Sequence, residues 1–262
     1  MFTKNTTTTT ATMRIQRFNP EVDEKPYYDE FTIVLDRDKT LLDGLQEIKT
    51  QQDGSLTYRR SCRHAICGSC AMNVNGQNML VCNTPLKKML DRSGKVTIRP
   101  LPWLPIIKDL VVDRTYFWEQ YMAVKPWLIP ADLKAKKEYR MTQEEVDALL
   151  EAETCIMCGA CYSACPVIAT NKKYIGPHAL QKAYQRVMDP RDGGLEERLD
   201  LLESDHFGIY NCHTATDCIT ACPKGLNPAR TISTLRKIAL KREQFIADRK
   251  ERQKHLLEPT DG

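Results

Sequence analysis

The sequence predicts an α+β protein in which a strand-rich region is followed by an all-helical one. Three observations predict it. Early in the chain Phe31, Ile33 and Leu35 alternate with polar residues, and two short apolar runs, Met72–Val74 and Met79–Val81, flank Asn75-Gly76, a strong hairpin signal. From Thr142 onward the apolar spacing becomes helical. The third observation is the cysteines: eleven of them, in three tight groups that fall across both regions.

Taken in order, residues 1–12 read as a disordered tail: they carry a threonine run, Thr6 to Thr10, and no apolar core, so they are neither a secretory signal nor an Arg-rich transit peptide. A half-buried strand at Phe31–Leu35 precedes a helix with Leu41, Leu42, Leu45 and Ile48 on one face. The hairpin and a further short strand, Val96–Arg99, complete the strand-rich part, and the prolines between Pro100 and Pro105 mark a junction. Thr142 and Glu145 form a capping box ahead of a helix whose apolar face is Val146, Leu149 and Leu150. Gly176-Pro177 opens another helix, with Leu180, Ala183 and Val187 on one side. A turn at Asp189–Gly194, a short helix at Leu195–Leu202 and one long helix from Thr231 to about Lys254 follow. The expected division is 13–118 for the first domain and 119–262 for the second.

Composition narrows the function classes. With 27% charged and 42% hydrophobic residues the chain is globular, and a formal charge of +4 with no basic run interleaved with aromatics argues against nucleic acid. The most apolar stretch, Leu101 to Ile107, is interrupted by Pro102 and Pro105, so no membrane span is expected. No Ser–His–Asp set, Walker loop or G-x-G-x-x-G follows a strand, so no catalytic residues and no flavin or substrate site are expected. Residues Arg236 to His255 hold eight Lys or Arg against three acidic residues, read as a solvated helix face in preference to a lipid contact. An odd cysteine count and the absence of an export signal favour a reducing compartment in which thiols stay available to metal.

The first group, Cys62-x4-Cys67-x2-Cys70 with Cys82 further on, has the plant-type [2Fe–2S] spacing: three thiolates converge from one Gly-containing loop (Gly68) and the fourth arrives from a neighbouring strand. Arg59, Arg60 and Arg63 can offset the negative charge, and His64 in the same loop reads as packing or hydrogen bonding rather than ligation. A zinc site is the alternative, although zinc favours paired C-x2-C knuckles. The second group, Cys155-x2-Cys158-x2-Cys161-x3-Cys165-Pro166, is the bacterial ferredoxin run. The third, Cys212-x5-Cys218-x3-Cys222-Pro223, becomes the same run if Ala215 is replaced by cysteine. In a two-cluster ferredoxin the fourth cysteine of each run serves the other cluster. Cys155, Cys158, Cys161 and Cys222 then hold a [4Fe–4S] cluster. Cys165, Cys212 and Cys218 hold a cluster with no thiolate at one corner, expected to be [3Fe–4S], the alternative being a water-ligated [4Fe–4S].

These motifs resemble the iron–sulfur subunits of succinate dehydrogenase and fumarate reductase, respiratory complex II, over about residues 14 to 240. The resemblance is carried by Arg59-Arg60-Ser61-Cys62, Cys67-Gly68-Ser69-Cys70-Ala71-Met72, the run from Cys155 to Pro166, and Cys222-Pro223-Lys224-Gly225-Leu226-Asn227-Pro228. It implies a β-grasp plant-type ferredoxin domain followed by a helical two-cluster domain. It also implies an FAD-containing flavoprotein partner that oxidises succinate, one or more membrane anchor subunits, and a quinone at the subunit interface bordered by Pro166 and His213. The expected place is the cytoplasmic face of a bacterial inner membrane, peripherally. Where the family carries Trp this chain has Thr170, and where it often carries Ile it has Ala215; both departures favour menaquinone over ubiquinone. The same role in a quinol:fumarate reductase, the iron–sulfur part of another membrane oxidoreductase, such as a glycerol-phosphate or heterodisulfide enzyme, and a zinc-stabilised binding module are the competing functions.

Overall fold

The computed structural model describes residues 10–35, 38–131 and 138–257. Its strands are β1 (Thr10–Arg17), β2 (Tyr27–Val34), β3 (Ala71–Val74), β4 (Gln77–Leu80), β5 (Lys95–Arg99), β6 (Ile106–Lys108) and β7 (Val111–Val112). The helices are α1 (Leu41–Glu47), α2 (Leu86–Met89), α3 (Thr115–Ala123), α4 (Gln143–Glu153), α5 (Ala160–Ala164), α6 (Pro166–Thr170), α7 (Gly176–Met188), α8 (Leu195–Leu202), α9 (Asp217–Thr220), α10 (Pro228–Leu240) and α11 (Arg242–Leu257). By contacts the chain forms two units, Met1–Arg114 with Ile156–Ala164, and Thr115–Cys155 with Cys165–Gly262. The sequence suggested a contiguous division at 118/119. The short stretch Ile156–Ala164 instead groups with the N-terminal unit.

The first unit is built on a five-stranded sheet of order β2-β1-β5-β3-β4, in which β1 runs parallel to β5 and antiparallel to β2. β1 alternates as a half-buried strand should, with Ala11, Met13 and Ile15 inward. It begins at Thr10, paired with Val34, so residues 10–12 belong to the sheet and not to the expected tail. A buried Ala11 and a full ladder outweigh the polar threonines; residues 1–9 lie outside the described residues. Asn75 and Gly76 both take positive φ, the type I′ turn that the dipeptide predicts between β3 and β4. α1 starts on a Thr40–Asp43 capping box and lies close on β1: a Cβ at Gly44 would stand 2.5 Å from Met13 Sδ.

Two further contacts in this unit bear on the cysteines. The guanidinium of buried Arg17 donates to Asp109 Oδ1 and Asp29 Oδ2, each at 3.0 Å, to Asp53 Oδ2 at 2.5 Å and to Ser55 Oγ at 2.9 Å. Asp109 in turn accepts the Thr57 N–H at 2.9 Å, so one ionic knot fixes the chain just before the first cysteine loop. The Ser55 hydroxyl, then the Ser55 N–H and Arg17, hold the Asp53 pKa down to about 2. The stretch Ile156–Ala164 is docked by Asn78 Nδ2 donating to Ala160 O at 3.0 Å and by Arg114 Nη2 donating to Met157 O. There the backbone of Gly68, φ +71, lies directly on Cys158: an added Cβ would meet Cys158 Cβ at 2.8 Å.

The second unit is helical around α7, whose Leu180, Ala183 and Val187 are wholly buried, as expected from their spacing. α3, α4, α8 and α10 pack against it, and Thr231 Oγ1 donates to Gln181 Oε1 at 2.8 Å to lock α10 to α7. In α4 the Thr142–Glu145 capping box forms, but the buried residues are Leu149 and Ala152, while Val146 is 36% and Leu150 47% exposed. The long C-terminal helix is two: α10 opens at Pro228 with Asn227 as its cap and ends at Lys241 (φ −118°, ψ 31°), and α11 follows. The basic stretch is not merely a solvated face. Arg249 is buried and donates to the Asp189 carbonyl at 2.7 Å beyond the C-terminus of α7. Arg252 pairs in a fork with Glu145 at 2.6 and 2.9 Å, and Arg242 pairs with Asp200 and Glu203.

Gly68→Ala should therefore fail locally. A left-handed backbone costs a non-glycine residue about 1–3 kcal/mol, before the collision with Cys158 is added. The expected outcome is protein deficient in iron at the centres served by Cys67 and Cys158, measured by iron content and visible absorbance; full iron occupancy would refute the close approach.

Candidate functional site

All eleven cysteines are free of disulfides. The first group lies in the first unit: Cys62, Cys67 and Cys70 on an irregular loop ahead of β3, and Cys82 on a 3-10 turn, Val81–Asn83, that follows β4. Its backbone turns inward through positive φ at Arg63, Ala65 and Gly68, which aims successive N–H groups at sulfur. His64, Ile66 and Cys67 donate to Cys62 Sγ at 3.5, 3.3 and 3.3 Å, and Ala65 donates to Cys82 Sγ at 3.3 Å. The first three donors pull the Cys62 thiol down to about 6. The Ser69 hydroxyl, 3.2 Å from Cys67 Sγ, lowers that thiol too. Cys70 is buried, which pushes it up to about 12, and it sits close enough to Cys82 to share a hydrogen bond. The four expected ligands are thus gathered at one place. Arg60 and Arg63, two of the three arginines expected to offset the negative charge, line a pocket with Cys82. His64 is exposed and its Nδ1 is turned to the Cys62 carbonyl, in keeping with packing rather than ligation.

Of the four cysteines expected to serve the four-iron cluster, Cys158 and Cys161 lie in the first unit, Cys155 and Cys222 in the second. Positive φ recurs at Met157 and Gly159. In the second unit Leu226 N–H points at Cys222 Sγ at 3.4 Å.

The three cysteines expected at the incomplete cluster, Cys165, Cys212 and Cys218, are all within the second unit. They line one pocket, together with Pro166, His213, Ala215 and Tyr174. Thr214 N–H donates to Cys212 Sγ at 3.4 Å. Burial raises Cys165, and raises Cys218 to about 11. Thr214 and Thr216 take φ +56 and +67, an uncommon state for a β-branched residue. They stand two and four places after Cys212, as Met157 and Gly159 do after Cys155. The backbone of the complete run is therefore kept where the cysteine is missing. Of the four residues expected at the quinone, Pro166, His213 and Ala215 line the pocket. Thr170 does not: its hydroxyl donates back to the Pro166 and Val167 carbonyls at 3.3 and 3.2 Å.

Thiolates that accept several N–H bonds fit iron–sulfur clusters, where such bonds stabilise the negative charge. Among the described residues no three His, Cys, Asp or Glu side chains are placed to hold a single metal ion; a cluster asks for a wider ring of thiolates than one ion does. Three neighbours of these centres were not legible in the sequence. Tyr174 is fully buried against Cys212 and Cys165, and burial drives its pKa up. Arg236 donates to the Ile209 and Cys212 carbonyls, 3.0 and 2.5 Å from Nη2. Lys182 reaches the end of α4 beside Cys155. Each acts over a long sequence separation that no local spacing signals.

Comparison with known proteins agrees with this geometry. Residues 12–119 match a family model described as a 2Fe-2S iron-sulfur cluster binding domain, and residues 151–226 match a 4Fe-4S dicluster domain. The chain is 43% identical over 230 residues to the succinate dehydrogenase iron-sulfur subunit of Paracoccus denitrificans, covering 87% of each chain. It is 44% identical over 236 residues to the mitochondrial succinate dehydrogenase [ubiquinone] iron-sulfur subunit 1 of rice, covering 88% of this chain and 83% of that one. Among solved structures, a chain of the Mycobacterium smegmatis Sdh1 complex in the apo form superposes with a TM-score of 0.80 at 25% identity, over 90% of this chain and 98% of that one. With the β-grasp ferredoxin unit, the helical unit, the cysteine spacing and these relatives in agreement, the chain belongs to the iron–sulfur subunits of succinate dehydrogenase, the electron-transfer component of a succinate:quinone oxidoreductase.

Proposed function

We propose that the chain relays electrons from an FAD-containing flavoprotein subunit, where succinate is oxidised, to a quinone held where it meets a membrane anchor. In this reading Cys62, Cys67, Cys70 and Cys82 hold [2Fe–2S]. Cys155, Cys158, Cys161 and Cys222 hold [4Fe–4S], and Cys165, Cys212 and Cys218 hold [3Fe–4S]. When bound, the clusters supply the successive one-electron carriers. The chain's own residues hold them, order them and set their surroundings.

The observation that carries the reading is the pocket at Cys165, Cys212 and Cys218: the three cysteines converge on it with Ala215, and the left-handed backbone at Thr214 and Thr216 presents residue 215 as the complete run presents Cys158. The ligand's place is kept and the ligand is absent, which favours a three-iron centre. The order of the relay is supported by Gly68, whose backbone touches Cys158 and so brings the first loop against a residue of the second centre. Among the described residues no helix is long and apolar enough to cross a membrane. The reading places the chain peripherally at the cytoplasmic face of a bacterial inner membrane, held there by its anchor.

His213, Pro166 and Ala215, all exposed, border the pocket at Cys165, Cys212 and Cys218. There an imidazole can donate a hydrogen bond or a proton to a quinone carbonyl. The native acceptor in this reading is a naphthoquinone, menaquinone, because a small side chain at Ala215 leaves room for a fused second ring. Thr170 supplies no indole wall, but it stands outside the pocket lining, so Ala215 carries this part. The rice relative is named for ubiquinone, which is the opposing outcome of the test.

Ala215→Cys should supply the missing thiolate, convert [3Fe–4S] to [4Fe–4S] and lower that centre's potential. An unchanged oxidised-state [3Fe–4S] EPR signal in the variant would overturn the ligand assignment. In steady-state turnover of the assembled complex with analogues of matched tail length, the menaquinone analogue should be the better substrate. A strong preference for the ubiquinone analogue ends the naphthoquinone reading.

A further inference from the structure

A lysine reaches the second centre from outside its motif. Lys182 lies on α7, half-buried, and its ammonium donates to the Ala152 carbonyl at 3.2 Å and to Gln185 Oε1 at 3.3 Å. The same Ala152 oxygen accepts the N–H of Cys155 at 3.4 Å. Sharing that oxygen with the Cys155 N–H, and with the Thr154 N–H, puts the ammonium beside the backbone of the first cysteine of the run. Gln185 holds it there, since its amide donates on its other side to Glu153 Oε1 at 3.3 Å.

The charges around it do not cancel it. Glu153 is exposed, so solvent screens it. Arg186 is turned away, donating to Pro126 O at 2.9 Å and pairing with Asp189 at 3.3 Å. Burial lowers the Lys182 pKa, with Arg186 adding to that, while Cys155 and Glu153 act in the opposite sense. A lysine at the end of α4 can serve simply as a cap for its last carbonyls. A cap, however, can point anywhere around the helix end, and this one shares its acceptor with Cys155.

We propose that Lys182 is a positioning residue for the [4Fe–4S] centre, its ammonium standing at Cys155 to stabilise the more negative, reduced state and raise the midpoint potential. The inference rests on the reading that Cys155 is a ligand of that centre. Reduction adds one electron, and hence one negative charge, delivered by the flavoprotein partner in turnover or by dithionite in a titration. A fixed positive charge nearby favours the reduced form, because net charge and hydrogen bonding set cluster potentials.

The test is an EPR-monitored redox titration of the assembled complex carrying wild type, Lys182→Gln, Lys182→Met or Lys182→Arg. Lys182→Gln and Lys182→Met, the second of which keeps the apolar stem, should each lower the [4Fe–4S] midpoint, leaving the [2Fe–2S] and [3Fe–4S] midpoints in place. Lys182→Arg should restore the wild-type value. An unmoved [4Fe–4S] midpoint in both neutral variants leaves Lys182 a helix cap and overturns the proposal. So does an equal shift of all three centres, which is a general structural effect. A wild-type complex with no four-iron signal is a different failure, that of the ligand reading itself.

Discussion

The constraint on which the rest of the structure depends is electrostatic: several thiolates must be brought to one place, and each must be met by donors before the charge is tolerable. Helices and strands spend their N–H groups on their own ladders, so most of the cysteines sit on irregular loops, with Cys161 and Cys218 in the first turns of the short helices α5 and α9. Those loops are bent through left-handed residues, Arg63 and Ala65, Met157 and Gly159, Thr214 and Thr216, so that free N–H groups face sulfur. The donors at Cys62 and the resulting fall of its pKa to about 6 are the clearest case. Left-handed threonines at 214 and 216 carry a backbone cost that a loop with no such task would not retain.

Irregular loops need rigid surroundings, and each unit supplies them differently. In the first unit the sheet carries the knot of Arg17 with Asp29, Asp53 and Asp109, which pins the chain ahead of Cys62. In the second, α7 is the packed centre, and Arg249 and Arg252 tie α11 to Asp189 and Glu145. These arginines belong to a stretch whose composition reads as solvated. Their role appears only when helices far apart in sequence are brought together. The ionic contacts do for the loops what hydrogen-bonded ladders do for strands.

Much of this was legible beforehand. Short-range signals held: Asn75-Gly76 makes the hairpin, Thr142 with Glu145 makes the capping box, and Leu195–Leu202 is the helix its periodicity predicts. The spacing of Cys212 and Cys218 is a local property and was readable as such, and Cys165, from a run far away in sequence, lines the same pocket. What failed depends on distant partners. Residues 10–12 look like tail until β2 and β5 pair with them. The break at Lys241 has no Gly or Pro to announce it. Thr170 stands where the family carries Trp, yet its hydroxyl turns back to its own helix and it is not among the residues lining the pocket. Lys182 carried no signal, because its partner lies thirty residues away.

The central claim is that one chain holds three centres of different nuclearity, the last set by a missing cysteine. Mössbauer and EPR spectroscopy of the 57Fe-enriched, anaerobically purified complex tests it most directly. The account predicts two-, four- and three-iron centres in equal amounts, with a [3Fe–4S] signal in the oxidised state. Two four-iron centres with no three-iron signal, or bound zinc in place of iron, would contradict it.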